Sequence, residues 1–128
     1  MAKAELFGPR VLAKVLRSLN AFPVERGGGD QAAMSEAGRL LSGGAVLGIF
    51  PQGTSKPERQ IGWHRGAARL ALATGAPLIP VRLMGTRRLL RRRVRIVVGE
   101  PIVVPVARPT VAAAKGLTER LEQAVAAA

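Results

Sequence analysis

Three short clusters in this chain carry side chains able to bind or transform a polar ligand. The first is Ala21-Phe22-Pro23-Val24-Glu25-Arg26, followed by Gly27-Gly28-Gly29 and Asp30. An arginine at a strand end, beside a glycine loop, can grip a phosphate with a bidentate fork. Taken alone, the same arrangement is also what an ordinary surface turn looks like. The triple glycine lacks the GxGxxG spacing of a dinucleotide site. The second cluster is Ile49-Phe50-Pro51-Gln52-Gly53-Thr54-Ser55-Lys56-Pro57. Here Gly53 allows close backbone approach, Thr54 offers a hydroxyl and Lys56 a positive charge for an anion. A plain strand-to-loop exit reads the same way. The third is Ala76-Pro77-Leu78-Ile79-Pro80-Val81. Two prolines in one strand each remove a ladder donor, so an edge or bulged strand with an open apolar surface at Pro77, Ile79 and Pro80 is expected.

These clusters need a scaffold, and the hydrophobic pattern supplies one. Leu6 to Leu19 reads as a helix, with Val11, Leu12, Val15, Leu16 and Leu19 at helical spacing. Ala21 to Val24 is a short strand. Asp30 suits the N-cap of a second helix that ends near Gly43-Gly44. Ala45 to Phe50 is a continuous apolar run, the signature of a buried strand in a parallel sheet. Trp63 to Thr74 is helical, with Ala67, Leu70, Ala71 and Thr74 on one face and Gly75 placed to stop it. Pro77 to Met84 and Val94 to Val98 are strands. Thr110 can cap a last helix carrying Leu117, Leu121 and Val125. The alternation predicts an α/β domain over residues 1–128, with a mostly parallel sheet flanked by helices. All three clusters fall at strand ends, where such folds place function.

Composition narrows the partners. The chain of 128 residues suits one domain, and 48% hydrophobic residues can build a core. It has no cysteine, which removes disulfides and cysteine-ligated metal sites. The formal net charge of +12 favours an anionic partner: nucleic acid, a phosphate-bearing substrate or an anionic membrane. Arg87, Arg88, Arg91, Arg92, Arg93 and Arg95 crowd around Leu89-Leu90. That cluster is either a membrane patch or a solvated loop before a strand. Aromatic content of 3% gives no stacking platform for nucleic acid, so none is expected as a partner. No apolar run approaches the roughly 20 residues of a spanning helix.

In this order and spacing, the three clusters resemble the glycerolipid acyltransferase family. Ala21 through Arg26 is similar to that family's second block. Phe50 through Lys56 is similar to its third, Phe-Pro-Glu-Gly-Thr-Arg-Ser. Ala76 through Val81 is similar to its fourth, and the stretches 1–7 and 94–102 look like members too. The resemblance implies a glycerol-3-phosphate acyltransferase-like domain and an O-acyltransferase of phospholipid biosynthesis. Such an enzyme moves a fatty acyl group from acyl-CoA or acyl carrier protein to 1-acyl-glycerol-3-phosphate. These donors are substrates, and no resident cofactor or metal is implied. The phosphate would be held by Arg26, Gln52, Gly53, Thr54 and Lys56. An enzyme of this kind is expected in the cytoplasm, peripheral to the inner face of the cell membrane. The family's first block, His-x-x-x-x-Asp, supplies the general base and its orienting carboxylate. It is not found here, so the resemblance implies a chain incomplete at its N-terminus, with no catalytic residue of its own. The single histidine, His64, has no aspartate at that spacing, since the single aspartate is Asp30. His64 is expected to be a solvent-facing residue at a helix start. Gln52 stands where the family has Glu, keeping the hydrogen-bonding shape without the charge. Ser55 stands where it has Arg, leaving Lys56 as a point donor. The alternatives are a non-catalytic domain that binds anionic lipid and a basic nucleic-acid-binding domain.

Overall fold

A computed structural model describes the backbone of residues 2–3, 23–24, 31–52, 62–85 and 94–128. These residues belong to two units, Met1–Phe50 and Pro51–Ala128. The predicted helix over 6–19 lies outside the described residues.

In the first unit, β1 (Ala2–Lys3) pairs in parallel with β2 (Pro23–Val24). The intervening residues meet the length a parallel crossover requires, about a dozen or more. Then comes α1, Gln31–Ser42, starting one residue after the predicted cap Asp30. Ala33 and Ala37, one turn apart, are its buried positions. The helix ends as its glycines predict. Gly44 takes the left-handed conformation (φ 82°). Its N–H donates to the Leu41 carbonyl, and the Ala45 N–H donates to the Leu40 carbonyl, both at 3.0 Å. That pair of bonds is the Schellman closure. On the exposed side Arg39 donates to Glu36 at 2.6 and 2.9 Å, and this hydrogen bond holds the Glu36 carboxyl below its ordinary range. Ala45 to Phe50 departs from expectation. It carries no strand, and Val46 and Phe50 are 97% and 72% exposed. An apolar run supplies side chains for both faces of a sheet, but a strand also needs neighbours to hydrogen-bond.

The second unit is built around a helix pair. The first is α2, Gly66–Thr74, and the second is α3, Val111–Ala127. Ala68, Ala71 and Leu72 of α2 pack with Ala114 and Leu117 of α3, with Val104 between them and Leu78 and Ile102 against the cluster. Small side chains let the helices come close, and the leucines fill what remains. Thr118 is buried yet satisfied, because its hydroxyl donates to the Ala114 carbonyl at 2.7 Å. Thr110 caps α3 as predicted: its Oγ1 accepts from the Ala113 N–H at 3.2 Å.

The C-terminal end of α2 shows how its carbonyls are satisfied. Gly75 donates to Ala71 at 2.8 Å from a left-handed conformation (φ 72°), and Ala107 donates to Leu72 at 2.8 Å. The returning segment therefore crosses directly over Gly75. A Cβ on Gly75 would lie 2.7 Å from Val106 Cγ2. Gly75→Ala is expected to cost about 2–3 kcal/mol, from the left-handed backbone and the clash together. Urea unfolding measures it, and adding Val106→Ala should recover only the clash portion.

The strands expected over 77–84 and 94–98 form over shorter spans, and they pair antiparallel rather than parallel. Strand β3 (Val81–Met84) pairs with β4 (Arg95–Val98), Val81 opposite Val98 and Met84 opposite Arg95. Upstream, Leu78 and Ile102 exchange both backbone hydrogen bonds, at 3.0 and 2.8 Å. Ile79 and Pro80 thus face Gly99, Glu100 and Pro101, one residue more on the second strand. This is a β-bulge, and the prolines explain it. Pro80 has no N–H to give, so only its carbonyl takes part, accepting from Gly99 at 2.9 Å.

Candidate functional site

Of the residues expected to hold a phosphate, Gln52 is described; Arg26, Gly53, Thr54 and Lys56 lie outside the described residues. Gln52 is half-buried in the turn Pro51-Gln52, immediately after the exposed Phe50. The scaffold that positions this turn is visible. The His64 N–H donates to the Pro51 carbonyl at 2.8 Å. The segment carrying Gly53, Thr54 and Lys56 therefore leaves and returns at one point, two residues before α2. Helix α2 begins at Gly66 rather than at Trp63 as expected, and the His64 N–H, which no helical turn would use, is taken by Pro51.

His64 itself is exposed, as expected. Among the described residues no carboxylate hydrogen-bonds its imidazole, so it has no orienting partner of the kind a general base needs. Arg65 and Arg69 were passed over in the sequence. They are one turn apart at i, i+4, both exposed, on the first turn of the helix reached by the closed segment. Their spacing was the available signal. Two guanidinium groups there add positive charge where the segment returns.

The proline-containing block divides by face. Pro77 is exposed and Ile79 is 53% exposed, an apolar surface as expected. Pro80 is corrected: it is wholly buried. It lies beside Gly99, and a Cβ there would meet the proline ring at 3.5–3.6 Å, an ordinary contact. Alternation along the strand turns 78 and 80 inward and 79 outward. The arginines expected in a membrane patch, Arg87, Arg88, Arg91, Arg92 and Arg93, lie outside the described residues.

A hollow of about 240 Å³ lies between the end of α2, the segment 103–105 and α3. Leu72, Val103, Pro105, Leu117 and Arg120 line it, and none of the residues predicted from the sequence does. Among the described residues no three of His, Cys, Asp or Glu gather as a metal site would require. No described helix is long and apolar enough to cross a membrane.

Comparison with known proteins places this geometry. The sequence pattern of the family described as Acyltransferase matches residues 1–84, a span containing all three clusters. The 1-acyl-sn-glycerol-3-phosphate acyltransferase of Bacillus subtilis (strain 168) is 33% identical over 106 residues, covering 80% of this chain and 53% of that protein. The chloroplastic 1-acyl-sn-glycerol-3-phosphate acyltransferase BAT2 of Brassica napus is 32% identical over 73 residues, 49% of this chain and 21% of the other. Among solved structures, the 1-acyl-sn-glycerophosphate (LPA) acyltransferase PlsC of Thermotoga maritima matches with a TM-score of 0.65 and 26% identity. It covers 97% of this chain and 52% of that one. The chain thus spans about half the length of the bacterial proteins it matches.

Proposed function

The chain belongs to the acyltransferase family, and from that premise we propose that it is the phosphate-binding part of an enzyme acylating 1-acyl-glycerol-3-phosphate. The reaction forms an ester between the acceptor's free hydroxyl oxygen and an acyl carbon. The thioester C–S bond of acyl-CoA or acyl carrier protein breaks, and the hydroxyl proton passes through a general base to the departing thiol. Arg26, with the Gln52–Thr54 turn and Lys56, holds the acceptor phosphate. Pro77 and Ile79 offer an apolar surface. The 128 residues contain no His-x-x-x-x-Asp pair, so the base is not among them. The full domain is a single α/β unit with a mostly parallel sheet. It works at the inner face of the cell membrane, where its acceptor resides.

The observation that carries this reading is the family match over residues 1–84, which spans the three clusters in their proper order. Calorimetry on the chain tests it. Lysophosphatidate is expected to bind, and Arg26→Ala to weaken it about 10–100-fold, the worth of a charge-assisted fork. Arg26→Lys should recover part of that loss, since a point charge replaces the fork. Monoacylglycerol, which lacks the phosphate, should bind no better to the parent than to Arg26→Ala. Equal affinity for both lipids in the parent chain would sink the phosphate assignment.

A further inference from the structure

The β3–β4 ribbon has two unlike faces. Residues paired across an antiparallel ladder share a face, and so do residues two apart. Leu78, Pro80 and Arg82 form the inner one: Leu78 packs on the core, Pro80 is buried, and Arg82 donates to the Ala126 carbonyl of α3 at 2.9 Å. The opposite face carries Val81, Leu83, Ile96 and Val98, extended by Ile79 and Val94 at its two ends. These six aliphatic side chains are 41–63% exposed. No charged residue interrupts them, although the chain as a whole is strongly charged. A contiguous bare apolar face of this kind marks a docking surface.

Charge decides what docks there. The link from β3 to β4, residues 85–94, carries five arginines and no acidic residue. Arg95 begins the return strand, and Glu100 sits at the other end of the ribbon, in the bulge. The ribbon is aliphatic on one face, and the sequence joining its two strands is strongly basic. A second copy would bring another +12 against this one. An anionic bilayer attracts the arginines and accepts the aliphatic side chains at its interface. We propose that the outer face of the β3–β4 ribbon is the surface by which the protein lies on an anionic lipid bilayer. This deepens the acyltransferase reading by naming the element that meets the membrane, and it rests on that reading only for the purpose served.

The absence of cysteine makes a direct test possible. Ile96→Cys, on the outer face, and Glu119→Cys, on exposed α3, are each labelled with an environment-sensitive fluorophore in the full chain. Vesicles of phosphatidylcholine alone, or with one-third phosphatidylglycerol, are added without any acyl donor or lysophosphatidate. The label at position 96 should brighten and shift to the blue several-fold more with the anionic vesicles, while the label at 119 stays silent. Leu83→Thr with Val98→Thr, which places β-branched residues suited to strands at both positions, should reduce co-sedimentation with anionic vesicles at least fivefold. Circular dichroism confirms that this variant remains folded. Four outcomes overturn the proposal. The label at 96 could already be shielded without vesicles, or become shielded with rising protein concentration. It could respond to duplex DNA rather than vesicles, or stay silent while the protein sediments with them. None of these touches lysophosphatidate binding at Arg26, so the two readings fail separately.

Discussion

The 128 residues assayed alone are expected to transfer no acyl group above background, and the same chain joined to a segment bearing His-x-x-x-x-Asp is expected to turn over. A positioned general base contributes about 10²–10⁴-fold. Without it the acceptor hydroxyl must lose its proton to water while attacking the thioester. Among the described residues, the one histidine is not set up to take its place. His64 is exposed, and no described carboxylate orients it. His64→Ala should therefore leave the activity of the joined protein within about twofold. A fall of a hundredfold would move the catalytic base to His64 and overturn the assignment. Release of free thiol from an acyl-CoA, measured with and without lysophosphatidate, is the readout. If the joined protein folds, binds lysophosphatidate and still transfers nothing, a binding role becomes the better account of this chain.

The second large effect concerns folding. Leu117 of α3 is 6% exposed and belongs to the cluster formed with Ala68, Ala71, Leu72 and Val104. Leu117→Ala should destabilise by about 3–5 kcal/mol, the upper part of the range for buried leucines. The reason lies in the neighbours. Alanine has no side-chain torsion with which to move into a vacated space, so the cavity persists. In a domain stable by about 5–15 kcal/mol, that removes a large share of the total. Glu119→Ala, two residues along and exposed, should stay within about 0.5 kcal/mol. Chemical denaturation of both variants checks the contrast. Equal midpoints would mean that the α2–α3 contact is not what holds the second unit together.

What could be read from the residues follows the range of the forces involved. Helices announce themselves locally. Asp30 before Gln31, the pair Gly43-Gly44, Gly75 and Thr110 all mark ends within a residue or so of where α1, α2 and α3 begin or stop. Strand-forming runs were legible too, and the prolines at 77 and 80 foretold a bulge. Partnership was less so. Nothing in Val81–Met84 alone says that it runs antiparallel to Arg95–Val98, and Ala45 to Phe50 has the composition of a strand without the ladder. Pro80 failed for a related reason. Its surroundings include Gly99, which bonds its carbonyl from across the ladder and is distant in the chain. Of the candidate site, the blocks themselves were readable because ordered motifs are a sequence property. The closure at Pro51 and His64 was not, because any residue has a carbonyl and nearly any has an N–H.

That closure has an evolutionary reach. Because backbone atoms make the bond, the residues between 52 and 63 are free to drift in identity without loosening it. Length is nearly as free. The entropy of closing a loop grows only with the logarithm of its size, so four inserted residues cost about 0.3 kcal/mol. A lineage can thus lengthen, shorten or rewrite the stretch that bears Gly53, Thr54 and Lys56 while α2 keeps its footing.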